Sequence, residues 1–308
     1  MQATPFLVLV ASLLLACSKS VVAERPSVAV PAPVAPAPAV PLRTVHVSNA
    51  TELKAALLDA RAGDAIVLAD GVYAGRFVVA AGRDGNATRP VVLRGGRGAI
   101  LDAGSIQTGY VLHLQSSWWE IRGITIRNGL KGIIGDGVQH CLIDSVKVEG
   151  IGDEGIHLRA FSSHNTISRC AITNTGLKTP DYGEGIYLGS AKSNWSSYTN
   201  GLPDRSDSNQ VLNNEIGPGV RAECIDIKEG STGGLVRGNV FYSEGISGAN
   251  AADSWIDLKG NYYRIENNTG HNPQGSVLLD GFQVHVAYAG WGNYNEFRGN
   301  QCNVNAAG

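Results

Sequence analysis

One short pattern recurs along most of this chain and restricts what it can fold into. An apolar residue is followed three positions later by a small or apolar residue or an asparagine, and then by a strand-like segment. It occurs as Ile121/Ile124, Ile143/Val146, Ile167/Cys170, Val211/Asn214, Val236/Asn239, Ile265/Asn268 and Phe297/Asn300. The spacings are 22, 24, 44, 25, 29 and 32 residues, most of them the length of one coil of a β-solenoid. A single coil cannot bury its own apolar face, so such repeats must stack. Gly, Asn and β-branched residues are frequent, which suits short strands broken by tight turns.

The last four coils carry asparagine at one position: Asn214, Asn239, Asn268 and Asn300. Asparagine tolerates the left-handed turn conformation, and its side-chain amide can bond the asparagine one coil above. This stacked ladder resembles that of pectate-lyase-like β-helices. The resemblance implies an all-β fold, a single-stranded right-handed parallel β-helix over residues 44–308.

A second register lies upstream in each coil. It reads Glu154-Gly-Ile-His-Leu158, Glu184-Gly-Ile-Tyr-Leu188, Glu223-Cys-Ile-Asp-Ile227, Ser254-Trp-Ile-Asp-Leu258 and Asp280-Gly-Phe-Gln-Val284. The alternation is that of a half-buried strand. Ile156, Ile186, Ile225, Ile256 and Phe282 are expected to point inward, and His157, Tyr187, Asp226, Asp257 and Gln283 outward. Two residues beyond each outward position runs a further ladder: Arg159, Gly189, Lys228, Lys259 and His285. One face thus carries acids beside bases, where a structural face would more often carry Thr, Ser, Asn and Val. The 44-residue spacing marks an insertion, Lys192 to Ser208, holding Trp195, Tyr198, Asp204 and Arg205. A functional loop and a neutral excursion are equally open readings of it.

Upstream, Asn49-Ala50-Thr51-Glu52-Leu53 offers a cap, and the spacing predicts a short amphipathic helix from Leu53 to Ala60. Strands are expected at Ala65 to Leu68 and around Phe77 to Val79. The helix would cover the first edge of the stack, otherwise an aggregation edge.

Residues 1–23 read as a signal peptide, with an apolar run from Phe6 to Ala16 too short to span a bilayer. Leu14-Leu15-Ala16-Cys17 resembles a bacterial lipobox, in which Cys17 would be lipidated. Ordinary cleavage, after Ala23, is the alternative. Residues 24–43, rich in Pro, Ala and Val, read as an extended tether. The chain is therefore expected to be exported, to a bacterial periplasm, an outer-membrane tether or the medium. Membrane contact is expected only through such an anchor. Four further cysteines, Cys141, Cys170, Cys224 and Cys302, allow three disulfide pairings, and free buried thiols remain equally open. Lys and Arg total 25 against 27 Asp and Glu, which gives no footprint for nucleic acid.

The stretch NATELKAALLDARAGDAIVLADGVY, and Glu223-x4-Lys228 followed by a Gly-Asn pair, resemble polysaccharide lyases of the chondroitinase B and alginate lyase family. That resemblance implies an acidic polysaccharide substrate, Lys228 as Brønsted base and Glu223 as a ligand of Ca²⁺. The family's arginine one coil further on has no counterpart, and Lys259 stands in that region as its substitute. The chemistry is consistent with these residue types. β-Elimination removes the proton α to a uronate carboxylate, so a cation must neutralise that carboxylate and a base must be poised on the same face. Lysine serves if neighbouring cations or burial lower its pKa. Lys228, Lys259 and Arg159 are the catalytic candidates. Glu184, Glu223, Asp226 and Asp257 offer hard oxygen ligands for Ca²⁺. Tyr187, His157, Trp195, Trp255 and His285 are candidates for lining a sugar groove.

Plainer readings stand beside these. The Asp–Lys neighbours would serve as surface ion pairs of little worth. Glu154, Glu184 and Glu223 would bond turn backbone, Trp255 would pack under a loop, and Trp118-Trp119 would be packing. Two other functions are open: a glycoside hydrolase using Asp226 and Asp257, and a non-catalytic surface glycan-binding β-helix. No capping helix is visible after the Asn300 turn, which leaves two readings open: self-association through the last coil, or a sequence shorter than its relatives.

Overall fold

The computed structural model describes residues 41–275 and 277–306. The signal, lipobox and most of the tether fall outside the described residues, and the first strand takes in Arg43. Among the described residues the chain forms three parallel sheets of ten, eight and nine strands. The ten-stranded first sheet runs from Arg43–Val47 to Glu296–Arg298, the nine-stranded second from Gly71–Ala74 to Gln301–Asn303, and the eight-stranded third from Phe77–Val79 to Phe282–Val284. The chain visits first, second and third sheet in turn and then repeats, always pairing with the coil before. This is a right-handed parallel β-helix, as the repeat implied.

Both sequence registers reappear as strand pairing. Ile121, Ile143, Ile167, Val211, Val236, Ile265 and Phe297 stack down the first sheet. Ile156, Ile186, Ile225, Ile256 and Phe282 stack down the third, with His157, Tyr187, Asp226, Asp257 and Gln283 beside them. The inward set fills a continuous aliphatic core. The asparagine ladder is continuous too. Asn214 Nδ2 donates to Asn239 Oδ1 at 2.9 Å, Asn239 Nδ2 to Asn268 Oδ1 at 2.9 Å, and Asn268 Nδ2 to Asn300 Oδ1 at 3.0 Å. Each Oδ1 also accepts a backbone N–H of the coil before, so every buried turn amide finds a partner.

The capping helix α1 spans Ala50–Leu58, starting and ending earlier than the pattern suggested. Asn49 is its N-cap, accepting from Glu52 N at 3.0 Å, while the Glu52 carboxylate reaches back to Ser48 N at 2.7 Å. That reciprocal cap fixes the start upstream of Leu53. Leu53, Ala56 and Leu57 are buried and close the first coil. Cys141, Cys170, Cys224 and Cys302 are all free thiols.

Candidate active site

Three ladders run along the outer face of the third sheet and its margins. The first is His157, Tyr187, Asp226 and Asp257. Two residues on come Arg159, Gly189, Lys228, Lys259 and His285, tied by Gly189 N to Leu158 O, Lys228 N to Leu188 O, Lys259 N to Ile227 O and His285 N to Leu258 O. The third, at the strand starts, is Lys131, Glu154, Glu184 and Glu223, tied by Gly132 N to Glu154 O, Gly155 N to Glu184 O and Gly185 N to Glu223 O. Neighbours on each ladder are about 4.8 Å apart, the strand spacing.

The ladders converge on one buried charge cluster. The carboxylates of Glu184, Glu223 and Asp226 are buried and offer ligand atoms within 4.8 Å of one another. Glu184 Oε2 is buried and has no hydrogen-bond partner. Asp226 holds the Lys228 ammonium on one oxygen and that of Lys259 on the other, the latter at 3.1 Å. Lys259 also contacts Asp257, whose second oxygen meets His285 Nδ1 at 2.8 Å. The Lys228 Nζ sits over the Tyr187 ring, 4.9 Å from its centre. The two lysine side chains are each 13% exposed, so both are largely buried with the acids they contact.

Burial and crowding set the protonation of this cluster. Burial raises Glu184 well above the usual carboxylate range, and Glu154, Asp226 and Glu223 add to it. Burial and the Asp226 charge push Glu223 up to about 8. Burial would also raise Asp226, but Lys228 and Lys259 overcome it and hold that acid ionised. Burial disfavours the Lys228 ammonium, yet Asp226, Glu184 and Asp257 outweigh it and raise the amine above its ordinary value. The sequence argument required the opposite shift. Its reason fails because the nearest charge to Lys228 is an anion.

Several sequence expectations need correction. Trp255 lies inside the coil, fully buried, with its ring filling the space a side chain at Gly270 would need and packing beside Gly281. It is core, and cannot stack on a sugar. Trp195 is buried as well, its Nε1 donating to Ser190 O at 2.9 Å and its ring edge-on to Tyr288. It anchors the insertion rather than lining a groove. His157 lies under Tyr187, ring centres 4.3 Å apart, and its Nε2 donates to Gly189 O at 2.8 Å, so it is a buried support. Arg159 is two rungs from Lys228. Its Nε donates to Asp136 at 2.7 Å, and its remaining nitrogens meet Tyr198 OH at 3.1 Å and Tyr110 OH at 3.2 Å. It therefore does not join the lysine pair. Asp257 is engaged by Lys259 and His285 and stays outside the trio that could hold a metal. Of the groove candidates, Tyr187 and the half-exposed His285 border the cluster.

The insertion is held by a residue whose role the sequence did not reveal. Asp204 is fully buried and accepts from Ala160 N, Phe161 N, Ser190 Oγ and Ser206 Oγ at 2.8 to 3.0 Å. Ala160 and Phe161 both lie in the left-handed region, and Asp204 satisfies the amides that this turn exposes. Lys131 was also missed. Lys131-Gly132-Ile133-Ile134-Gly135 repeats the Glu-Gly-Ile-x-Leu motif one coil earlier with Lys for Glu, so extending the register upward would have found it.

A coiled parallel sheet thus bears lysines and clustered acids on one face, and comparison with known proteins gives the family. The chain belongs to the pectate-lyase-like parallel β-helix polysaccharide lyases. It is 42% identical to an alginate lyase from Paenibacillus sp. str. FPU-7, with a TM-score of 0.82, over 86% of this chain and 88% of that one. The pectate lyase Pel9A shares the fold at 13% identity and a TM-score of 0.63, over 87% of this chain and 78% of that one. No protein-family model matches the chain, and no curated protein matches it.

Proposed function

We propose that this chain cleaves a uronate polymer, of the alginate class, by β-elimination, with Lys228 as the base. The observation that carries the reading is Lys228, partly exposed, bonded to Asp226 in a buried cluster that also holds Glu184 and Glu223. The relative at 42% identity is an alginate lyase, which supports this substrate class over other uronates.

The reaction breaks the C5–H and C4–O bonds and forms a C4–C5 double bond. Lys228, as the free amine, takes the C5 proton. The C5–H electron pair is first delocalised onto the uronate carboxylate as an enediolate, then forms the new double bond as the C4 oxygen leaves, and that oxygen takes the proton from the Lys228 ammonium on the same face. In the resting site Lys228 is protonated against Asp226. Lys259, also bonded to Asp226, keeps that carboxylate compensated when the Lys228 amine is neutral, and its charge opposes the extra proton. Tyr187, packed flat beneath Lys228, sets the height of the amine.

The donor set fits a hard divalent cation such as Ca²⁺: three buried carboxylates, one with an orphaned oxygen. Bound by Glu184, Glu223 and Asp226, the ion would neutralise the substrate carboxylate and stabilise the enediolate. Asp226 and Asp257, the pair a hydrolase would use, are each held by lysine, which disfavours an acid role for either. Export outside the inner membrane goes with a polymeric substrate, and the signal-like residues Phe6 to Ala16 support it.

The test is a panel of alginate, pectate and dermatan, read by ultraviolet absorbance of the C4–C5 double bond, with and without chelator. Absorbance should grow on alginate and vanish in Lys228→Ala. Unchanged turnover in that variant would remove Lys228 from the mechanism.

A further inference from the structure

The acid ladder at the strand starts changes sign at its N-terminal end. Glu154 is the rung next to Glu184, and Lys131 is the rung before it. The Lys131 ammonium contacts Glu154 Oε2 and lies 3.7 Å from Asp153 Oδ2. The three side chains are only 17%, 7% and 10% exposed. Asp153 Oδ1 is buried without a hydrogen-bond partner. The next two rungs, Glu184 and Glu223, make no direct ion pair among the described residues, Lys228 and Lys259 acting on them only from a distance, and Glu184 Oε2 is orphaned.

Glu154 and Glu184 thus occupy equivalent positions on successive coils with opposite compensation. Buried carboxylates need a counter-charge. An ammonium supplies it as a compact point charge, a hard metal ion as an oxygen-coordinated one. We infer that Lys131 is a built-in cation filling a second divalent-ion site at Asp153 and Glu154, so that the chain takes one ion, at Glu184, Glu223 and Asp226, rather than two. This rests on the reading of those three acids as a metal site. Lys131 would then be a positioning residue: it confines the ion to the rungs beside Lys228 and keeps it off the coil before.

The experiment is calorimetric titration of the full chain with calcium chloride, comparing wild type, Lys131→Met and the double variant Lys131→Met/Glu154→Gln. The expected stoichiometries are one, two and one. One ion in both wild type and Lys131→Met would overturn the inference. No ion in wild type but one in Lys131→Met would support it while refuting the metal reading of Glu184, Glu223 and Asp226. No ion in either would overturn both. If Lys131→Met is unfolded in chelator, its circular dichroism is followed on adding calcium, with Lys131→Gln in parallel. Folding restored by calcium supports the inference, and failure of both variants to fold with calcium overturns it.

Discussion

Lys259 Nζ lies 3.1 Å from Asp226 Oδ1, on the carboxylate whose other oxygen holds Lys228. One buried acid therefore serves two lysines from successive coils. Its charge is the main force keeping Lys228 protonated, and Lys259 shares that charge. Removing Lys259 leaves Asp226 to Lys228 alone, so the Lys228 pKa rises and less free amine exists at a given pH. Lys259→Ala should lower kcat at neutral pH by about tenfold for each unit of added shift, and activity should recover as pH is raised. Lys228→Ala should lose about 10²- to 10⁴-fold at every pH. The pH–rate profiles of the two variants check this. A Lys259→Ala profile that is lowered evenly across pH would show that Lys259 does not act through Lys228.

The raised carboxyls predict a pH-dependent fold. Glu223 rises to about 8 from an ordinary 4.5, and Glu184 moves the same way. Between those values the folded chain binds more protons than the unfolded one, so stability falls as pH rises from roughly 4.5 through 8. In chelator, Tm should be lower at pH 8.5 than at pH 6. Glu223→Gln should flatten the dependence and stabilise the protein at the higher pH by up to a few kcal/mol. Calcium should restore the wild-type Tm at pH 8.5, because the ionised acids are then compensated. Thermal melts at the two pH values, with and without calcium, measure this directly.

The fold was legible because its repeat is written in residues that each coil must place identically. Ile156, Ile186, Ile225 and Ile256 had to fall inside, and the asparagines had to stack in one turn, although the left-handed residue of that turn is the one before each of them, Asn213, Gly238, Asn267 and Gly299. The site was legible only as a set of positions. Register placed Asp226, Lys228, Asp257 and Lys259 on one face, but could not say which anion each cation would choose. Nor could it foresee that Asp226 would outweigh burial and raise Lys228. Trp255 was misread because its position alternates with the inward isoleucines, and a strand start swings side chains off strict alternation. The same swing brings Glu184 and Glu223, inward by parity, onto Asp226. Asp204 left no local signal, since its partners Ala160 and Phe161 lie more than forty residues away.

Burial of Trp255 separates a packing role from a binding one. Trp255→Phe keeps most of the apolar volume in a site closed by Gly270 and Gly281. It should leave KM for alginate unchanged and cost about 1 to 2 kcal/mol of stability, while Trp255→Ala should cost about 3 to 5 kcal/mol. Urea unfolding gives the energies and initial rates give KM. A several-fold rise in KM for Trp255→Phe at full folding would return the residue to the groove.

The asparagine ladder makes a prediction about stability that leaves the chemistry untouched. Asn239 Oδ1 accepts from Asn214 N and Nδ2, each at 2.9 Å, and its Nδ2 donates to Val211 O and Asn268 Oδ1, each at 2.9 Å. Asn214, Asn239, Asn268 and Val211 are all buried. Asn239→Ala strands the Asn214 backbone N–H, one Asn214 Nδ2 hydrogen and the Val211 carbonyl together, while Asn268 Oδ1 keeps the backbone N–H of residue 239. Each such group costs about 1 to 3 kcal/mol, and partial relaxation should hold the total near 2 to 4 kcal/mol. Asn239→Asp keeps the acceptor but turns the donor toward Val211 O and Asn268 Oδ1 into an anion, so it should be the more harmful change at neutral pH and improve as pH falls. The ladder is on the far corner of the coil from Lys228, so kcat per folded molecule should match wild type in both variants. Urea melts at pH 5 and pH 7.5, with rates corrected for the folded fraction, check both halves. An Asn239→Asp protein as stable as wild type at pH 7.5 would mean the donor side of the ladder contributes nothing.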